Sequence, residues 1–328
     1  MLPNKMNILF LTHSDPNYVP DFLLHGLRKL FGEKVVDYPK KECLYSGMQN
    51  GKVPEIYREP FWFPADNGKI NRDDIESKLK NKYFDYVVCD VRAQPLYQSI
   101  YDNLSGFEVK LVVIDGEDSS VEINPGPFVV FRRESDGTDY SIPLPMALPE
   151  EIYNRIASYG DNPKSHSIGF IGSVGKYLES RSELIENLAS YYPDSLLLRA
   201  PVSYDADVHP DERVGIDSYY DNLQRCRFVL TLRGNGYDTF RFWENTACNA
   251  LHISEEMPLF IPNDFKDKLN IMRFSNVDQL RSIIDDQLER KQETSQMIQN
   301  SHKHLKDYHL TTSRATYFVD RIKSAFNK

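Results

Sequence analysis

Short apolar runs recur along this chain, each followed by a stretch of helical periodicity, and no other feature constrains the fold as much. In the first half they are Asn7–Thr12, Lys34–Tyr38, Phe84–Asp90, Val109–Asp115 and Phe128–Arg133. In the second half they are Ser167–Ser173, Ser195–Arg199, Phe228–Leu232, Ala250–Ser254 and Ile271–Phe274. Continuous apolar runs of strand length, separated by helices, indicate a parallel sheet covered on both faces. Pro20 stands at the start of a helix carrying Phe22, Leu23, Leu27 and Leu30 on one face. Ser180 and Glu183 have capping-box spacing ahead of Leu184, Ile185 and Leu188. Helices over Lys291–Tyr308 and Ser313–Phe326 close the chain.

The two alternating halves meet at Ser141–Ser165, where Pro143, Pro145 and Pro149 fall within seven residues and Gly160 and Pro163 follow. This reads as an interdomain connection. The expected class is α/β, with two Rossmann-like doubly wound domains facing a cleft. The N-terminal domain spans 1–145, a linker 146–165 and the C-terminal domain 166–310. A last helix, 311–328, is expected to pack back on the N-terminal domain. Lys40–Asn71, rich in Gly and Pro, reads as a long functional loop.

Composition narrows the function. A length of 328 residues, with 41% hydrophobic and 27% charged residues, is that of a globular enzyme. The net charge of −9 argues against a protein whose main affinity is for nucleic acid phosphates, while leaving a local basic patch open. Cys43, Cys89, Cys226 and Cys248 show neither C-x-x-C pairing nor metal spacing, which fits a reducing compartment. The apolar run Met6–Leu11 is too short to span a membrane and is followed at once by His13, Ser14 and Asp15. A cytoplasmic location is expected.

The richest segment is Arg227–Asp264. A strand runs into Arg233, Gly234, Asn235 and Gly236, then into a helix bearing Arg241 and Glu244 one turn apart. A strand that passes through glycine into a helix N-terminus is an anion site, because free backbone N–H groups and the helix dipole favour a phosphate. Arginine adds bidentate, charge-assisted contacts. A nucleoside diphosphate pocket is the expected use.

The second half, about 165–325, resembles GT-B glycosyltransferases, in particular the CgeB-like and exostosin-like branches. The loop from Arg233 to Gly236, the Arg241/Glu244 pair, the small-residue stretch Ala247–Ala250 and Tyr308–Phe318 carry the resemblance. It implies a UDP- or GDP-sugar donor held by the C-terminal domain, an acceptor held by the N-terminal domain, and no required cofactor or metal. It also implies a second glutamate about seven residues after the first, and Leu251 stands there instead. The implied activity is transfer of a hexosyl or pentosyl group to a hydroxyl acceptor. A sugar-nucleotide epimerase or hydrolase, a modified-base DNA glycosyltransferase and a non-catalytic two-domain binding protein are the alternatives.

Arg233 and Arg241 are assigned to the donor diphosphate, and Glu244 to its ribose or sugar. Gly234, Asn235 and Gly236 allow close backbone approach. Gly172, Ser173 and Gly175 end a strand facing the same region, and Arg199 ends the next one. Arg181 reads as a helix-surface residue, and Arg132, Arg133 and Glu134 as a strand-edge charge run. An inverting reaction needs a base within reach of the acceptor hydroxyl. Asp118 in the loop after Asp115, and Asp15 with His13 after the first strand, are the candidates; a turn or cap is the other use of such aspartates. His302, His304 and His309 have helix spacing without matching carboxylates, so packing explains them better than metal binding.

Overall fold

A computed structural model describes residues 6–46, 63, 64, 66–103, 109–118, 128–172, 179–199 and 214–327. Among these residues the strands form two parallel sheets. The chain divides into one unit of 1–149, 259–262 and 309–328 and a second of 150–258 and 263–308.

The first unit holds β1 (Ile8–Leu11), β2 (Val35–Tyr38), β3 (Tyr86–Asp90), β4 (Leu111–Asp115), β5 (Val129–Arg132) and β6 (Ile142–Pro143), in the order β2-β1-β3-β4-β5-β6. Helix α1 (Tyr18–Phe31) has Pro20 in its first turn and buries Val19, Phe22, Leu23 and Leu27. Short helices α2 (Ile75–Lys80) and α3 (Gln94–Asn103) precede and follow β3. One sheet face buries Leu9, Leu11, Val87, Leu111 and Val113 with Ile75 and Leu79. Helix α10 (Thr311–Phe326) belongs to this unit and lies against α1. Their approach is close: a Cβ at Gly26 would stand 2.1 Å from the Thr311 carbonyl oxygen. Phe318 of α10 meets Phe131 of β5 at 4.7 Å between ring centroids.

Arg132 and Arg133 correct the reading of an edge charge run. β5 is an inner strand between β4 and β6. Both arginines are buried, Arg132 against Asp115 and Asp139, Arg133 against Asp118.

The second unit opens with α4 (Glu150–Ala157), so the stretch after Pro149 is helical. Its strands are β7 (His166–Gly172), β8 (Leu196–Arg199), β9 (Cys226–Thr231), β10 (Leu251–Glu255) and β11 (Met272–Phe274), in the order β11-β10-β9-β7-β8. Helices α5 (Glu179–Tyr191), α6 (Ile216–Gln224), α7 (Phe240–Ala247), α8 (Val277–Glu289) and α9 (Lys291–Tyr308) cover it. Ile168, Phe170, Phe228, Leu230, Leu251 and Ile253 meet Ile185, Leu188, Leu280 and Ile284 in the core. Ser180 falls inside α5 and not at its cap. No helix among the described residues is long and apolar enough to cross a membrane.

Candidate functional site

In the second unit β7 is flanked by β8 on one side and β9 on the other. Connections leave it in opposite directions, which opens a crevice beyond the carboxyl ends of β7 and β9, where doubly wound sheets bind ligands. Gly172 ends β7 there, and 232–239 lead from β9 into α7.

Arg241 lies in the first turn of α7. Its Nε donates to the Ile171 carbonyl at 3.0 Å, and its guanidinium sits 5.2 Å from the Phe170 ring centre. Only glycine admits this placement, because a Cβ at Gly172 would stand 2.4 Å from Arg241 Nη2. Arg181 of α5 approaches the same Phe170 ring at 5.7 Å. It is 6% exposed, which overturns the surface reading. Its Nη2 donates to the Leu232 carbonyl at 3.0 Å and to the Arg233 carbonyl. Burial first, and then the charge of Arg241, lower its pKa to about 10. Two guanidinium groups thus share one aromatic ring at the carboxyl edge of the sheet, and the charge of Arg241 raises the cost of charging Arg181.

The loop beyond β9 is anchored at both ends. The Arg233 N–H donates to the Glu255 carboxylate at 2.7 Å, and the Gly234 N–H to the Gly236 carbonyl at 3.0 Å. Trp243 Nε1 donates to Asp238 at 2.8 Å. A Cβ at Gly234 would lie 3.1 Å from Thr239 Cγ2 and 3.9 Å from Arg181 Nη2, so this loop passes close over the arginine. Asn235 is exposed. Thr239 is the N-cap of α7 but makes no side-chain cap, and its hydroxyl is buried without a hydrogen-bond partner. Within that first turn the Phe242 N–H donates to the Thr239 carbonyl at 3.0 Å.

Arg233 is exposed and turned onto Tyr237, 4.2 Å from its ring centre, with Nη1 donating to the phenol oxygen at 3.0 Å. The structure thus brings Arg241 and Arg181 together and directs Arg233 elsewhere. Glu244, one turn beyond Arg241, is 7% exposed and accepts from Tyr219 at 3.1 Å and Tyr220 at 2.8 Å. Burial raises its pKa; the Tyr220 hydrogen bond, the charge of Arg241 and the Tyr219 hydrogen bond oppose the rise.

Leu251, where a second glutamate is implied by resemblance, opens β10, pairs in register with Phe228 and is wholly buried in the core. His252 beside it bonds Thr231 at 2.8 Å and Thr246 at 3.0 Å, tying β9, β10 and α7 together. Burial holds its pKa down to about 3. Arg199 ends β8 in register with Gly172, but its side chain lies outside the described residues, as do Ser173 and Gly175.

In the first unit the corresponding crevice lies between β1 and β3. Lys41, wholly buried, donates to the carbonyls of His13 at 2.7 Å and Asp15 at 2.6 Å and pairs with Asp21 at 3.1 Å. Arg92 donates to the Asp15 carbonyl at 3.0 Å and pairs with Asp90 at 3.2 Å. The backbone after β1 is therefore fixed, and the Asp15 side chain, 76% exposed, projects from it. His13 Nδ1 accepts from the Asp15 N–H at 3.2 Å. Asp118 is ion-paired with Arg133 at 2.5 Å.

His302 and His304 bond the carbonyls of Cys248 and Asn263, and His309 is buried against Arg314. These are structural contacts. The sequence misplaces Arg181 on the surface and does not single out Glu255, Tyr219 or Tyr220. Only the Tyr-Tyr pair carried any signal, as polar aromatics on a short helix.

Residues 181–320 match the family described as glycosyl transferase-like. No curated protein matches the chain. Among solved structures, HepE from Anabaena in complex with UDP-glucose is similar at TM-score 0.61 and 12% identity, covering 98% of this chain and 100% of that one. A glycosyltransferase from Rickettsia africae gives 0.61 at 11%, covering 98% and 99%. Sucrose-phosphate synthase from Thermosynechococcus elongatus gives 0.55 at 9%, covering 98% and 100%. The chain has the fold of the GT-B glycosyltransferases, and its residues 181–320 are glycosyl transferase-like in sequence.

Proposed function

We propose that the protein transfers a sugar from a nucleoside diphosphate donor to a hydroxyl acceptor. The observation that carries this reading is the pairing of Arg241 with Arg181 over Phe170, beside Gly172 and the N-terminus of α7. Such a group favours a multiply charged anion: the diphosphate relieves the repulsion between the guanidiniums and meets the positive end of the helix dipole. Gly172 and Gly234 allow its close approach. Glu244, one turn further along α7, then meets the ribose or sugar hydroxyls. The similarity to HepE, crystallised with UDP-glucose, supports a UDP-sugar and a hexosyl group. The loop from Arg233 to Gly236 and the Arg241/Glu244 pair support the CgeB-like and exostosin-like branches.

Catalysis in this reading rests on positioning and on electrostatic stabilisation of the leaving diphosphate. Arg241 and the positive end of the α7 dipole take its developing charge, so the chain itself supplies what a metal supplies elsewhere. The acceptor belongs to the first unit. Asp15 is the leading base there, because its carboxylate is exposed on a fixed backbone, whereas Asp118 is held by Arg133. His13, accepting from the Asp15 N–H through Nδ1, carries its proton on Nε2 when neutral and suits donation more than abstraction.

A thermal-shift screen with UDP-, GDP-, CMP- and dTDP-sugars, followed by nucleotide-release assays across hydroxyl acceptors, tests the proposal. Stabilisation by one nucleotide class and acceptor-dependent release are expected. Absence of any shift contradicts it, and acceptor-independent release points to a hydrolase or epimerase.

A further inference from the structure

We infer that Tyr219 and Tyr220 are positioning residues that hold the Glu244 carboxylate in the orientation in which it reads a ribose diol. This rests on the donor reading above and deepens it. The two phenols come from consecutive residues of α6 and divide the carboxylate between them. Tyr219 donates to Oε2 at 3.1 Å and Tyr220 to Oε1 at 2.8 Å. Their rings pack edge to face at 5.2 Å, which fixes each relative to the other. Each carboxylate oxygen has two lone-pair directions, so one remains on each oxygen once the phenols are served. Two acceptor positions side by side suit the two vicinal hydroxyls of a ribose.

Placement along α7 agrees with this. Glu244 follows Arg241 by three residues, on the same helix face, with about 4.5 Å of axial rise between them. Arg241 marks the diphosphate end at Gly172. The carboxylate therefore lies one turn deeper, on the nucleoside side. It is nearly closed off from solvent, whereas Tyr219 is half-buried. A carboxylate so enclosed is costly to orient without donors, and the phenols supply them. Burial, followed by the charge of Glu244, drives both phenols well above their ordinary pKa, so they remain donors across the working pH range.

Removing one phenol frees the carboxylate to rotate, and the ribose loses its matched pair of acceptors while phosphate contacts persist. The ratio of affinities for a ribonucleotide and its 2′-deoxy counterpart reads this directly. A purely structural role lowers stability without moving that ratio. The experiment titrates the full-length protein with UDP, GDP, ADP and CDP and pairs the tightest binder with its 2′-deoxy form. The unaltered protein is expected to favour the ribonucleotide by on the order of 10- to 100-fold. Tyr219→Phe and Tyr220→Phe are each expected to cut that preference by about threefold to tenfold, with phosphate-dependent binding retained. If Tyr220→Phe fails to fold, the half-buried Tyr219→Phe carries the test alone. An unchanged preference in folded variants overturns the inference, as does equal binding of ribo- and deoxyribonucleotide by the unaltered protein. Failure of all four diphosphates to bind overturns the donor reading itself.

Discussion

Replacing Gly172 by alanine isolates the placement of Arg241 from the stability of the sheet. The new Cβ would stand 2.4 Å from Arg241 Nη2, 2.7 Å from its Cζ and 3.1 Å from Phe170 Cζ. The first two neighbours are the far end of a flexible side chain, so the guanidinium yields and the backbone stays. The fold then loses the hydrogen bond from Arg241 to the Ile171 carbonyl and the contact with the Phe170 ring. Together these cost about 1–3 kcal/mol, offset by about 0.4–1 kcal/mol from the reduced freedom of the unfolded chain. A net loss near 1 kcal/mol is expected in urea unfolding. Displacement from a bound diphosphate removes charge-assisted hydrogen bonds of about 1.5–3 kcal/mol, or roughly 10- to 150-fold in affinity by calorimetry. Gly169→Ala is the control, since its Cβ would meet Cys226 Sγ at 2.5 Å in the core and should lower stability without changing affinity. Nucleotide affinity unchanged in Gly172→Ala would mean that Arg241 does not hold the diphosphate from this position.

Three further outcomes are expected. His252 is held near pKa 3 when folded, against about 6.5 unfolded, so the unfolded chain binds the extra proton between those values and stability rises with pH there. At about 1.4 kcal/mol per pH unit, roughly 3 kcal/mol is lost between pH 6.5 and 4; His252→Gln should flatten this slope in unfolding series at several pH values. Gly26→Ala sets a Cβ 2.1 Å from the Thr311 carbonyl oxygen, a backbone atom, so α10 must move; a loss above about 3 kcal/mol should appear in thermal unfolding. Lys41→Met leaves Asp21 and the carbonyls of His13 and Asp15 without their buried cation, a cost of about 3–5 kcal/mol measurable by urea titration.

The two sheets were legible because strands buried on both faces leave continuous apolar runs, as Val109–Asp115 and Phe228–Leu232 do. Bounds slipped by one or two residues, and β9 begins at Cys226 because the exposed Arg227 interrupts the apolar run without breaking the ladder. The junction after β9 was legible too, since glycine followed by a helix start is a local signal. Arg181 was not. Its burial depends on Phe170 in β7 and on carbonyls about fifty residues away, while its own helix shows only an arginine near the start. Arg132 and Arg133 misled for the same reason: their carboxylate partners come from other segments, Asp115 and Asp118 at the end of β4 and Asp139 before β6. Glu244 is assigned to the ribose or sugar without its tyrosine partners, because they lie on α6, more than twenty residues earlier.

The donor site stands or falls with Arg241 holding the diphosphate of a nucleotide. Calorimetric titration of the protein and of Arg241→Ala with the nucleoside diphosphate that binds most tightly measures that contribution. Affinity is expected to fall at least tenfold in Arg241→Ala, with a melting temperature shift of only a few degrees. An exposed-pair control, Arg290→Ala, should bind as the unaltered protein does. Full affinity in a folded Arg241→Ala would contradict the donor site assigned to this crevice.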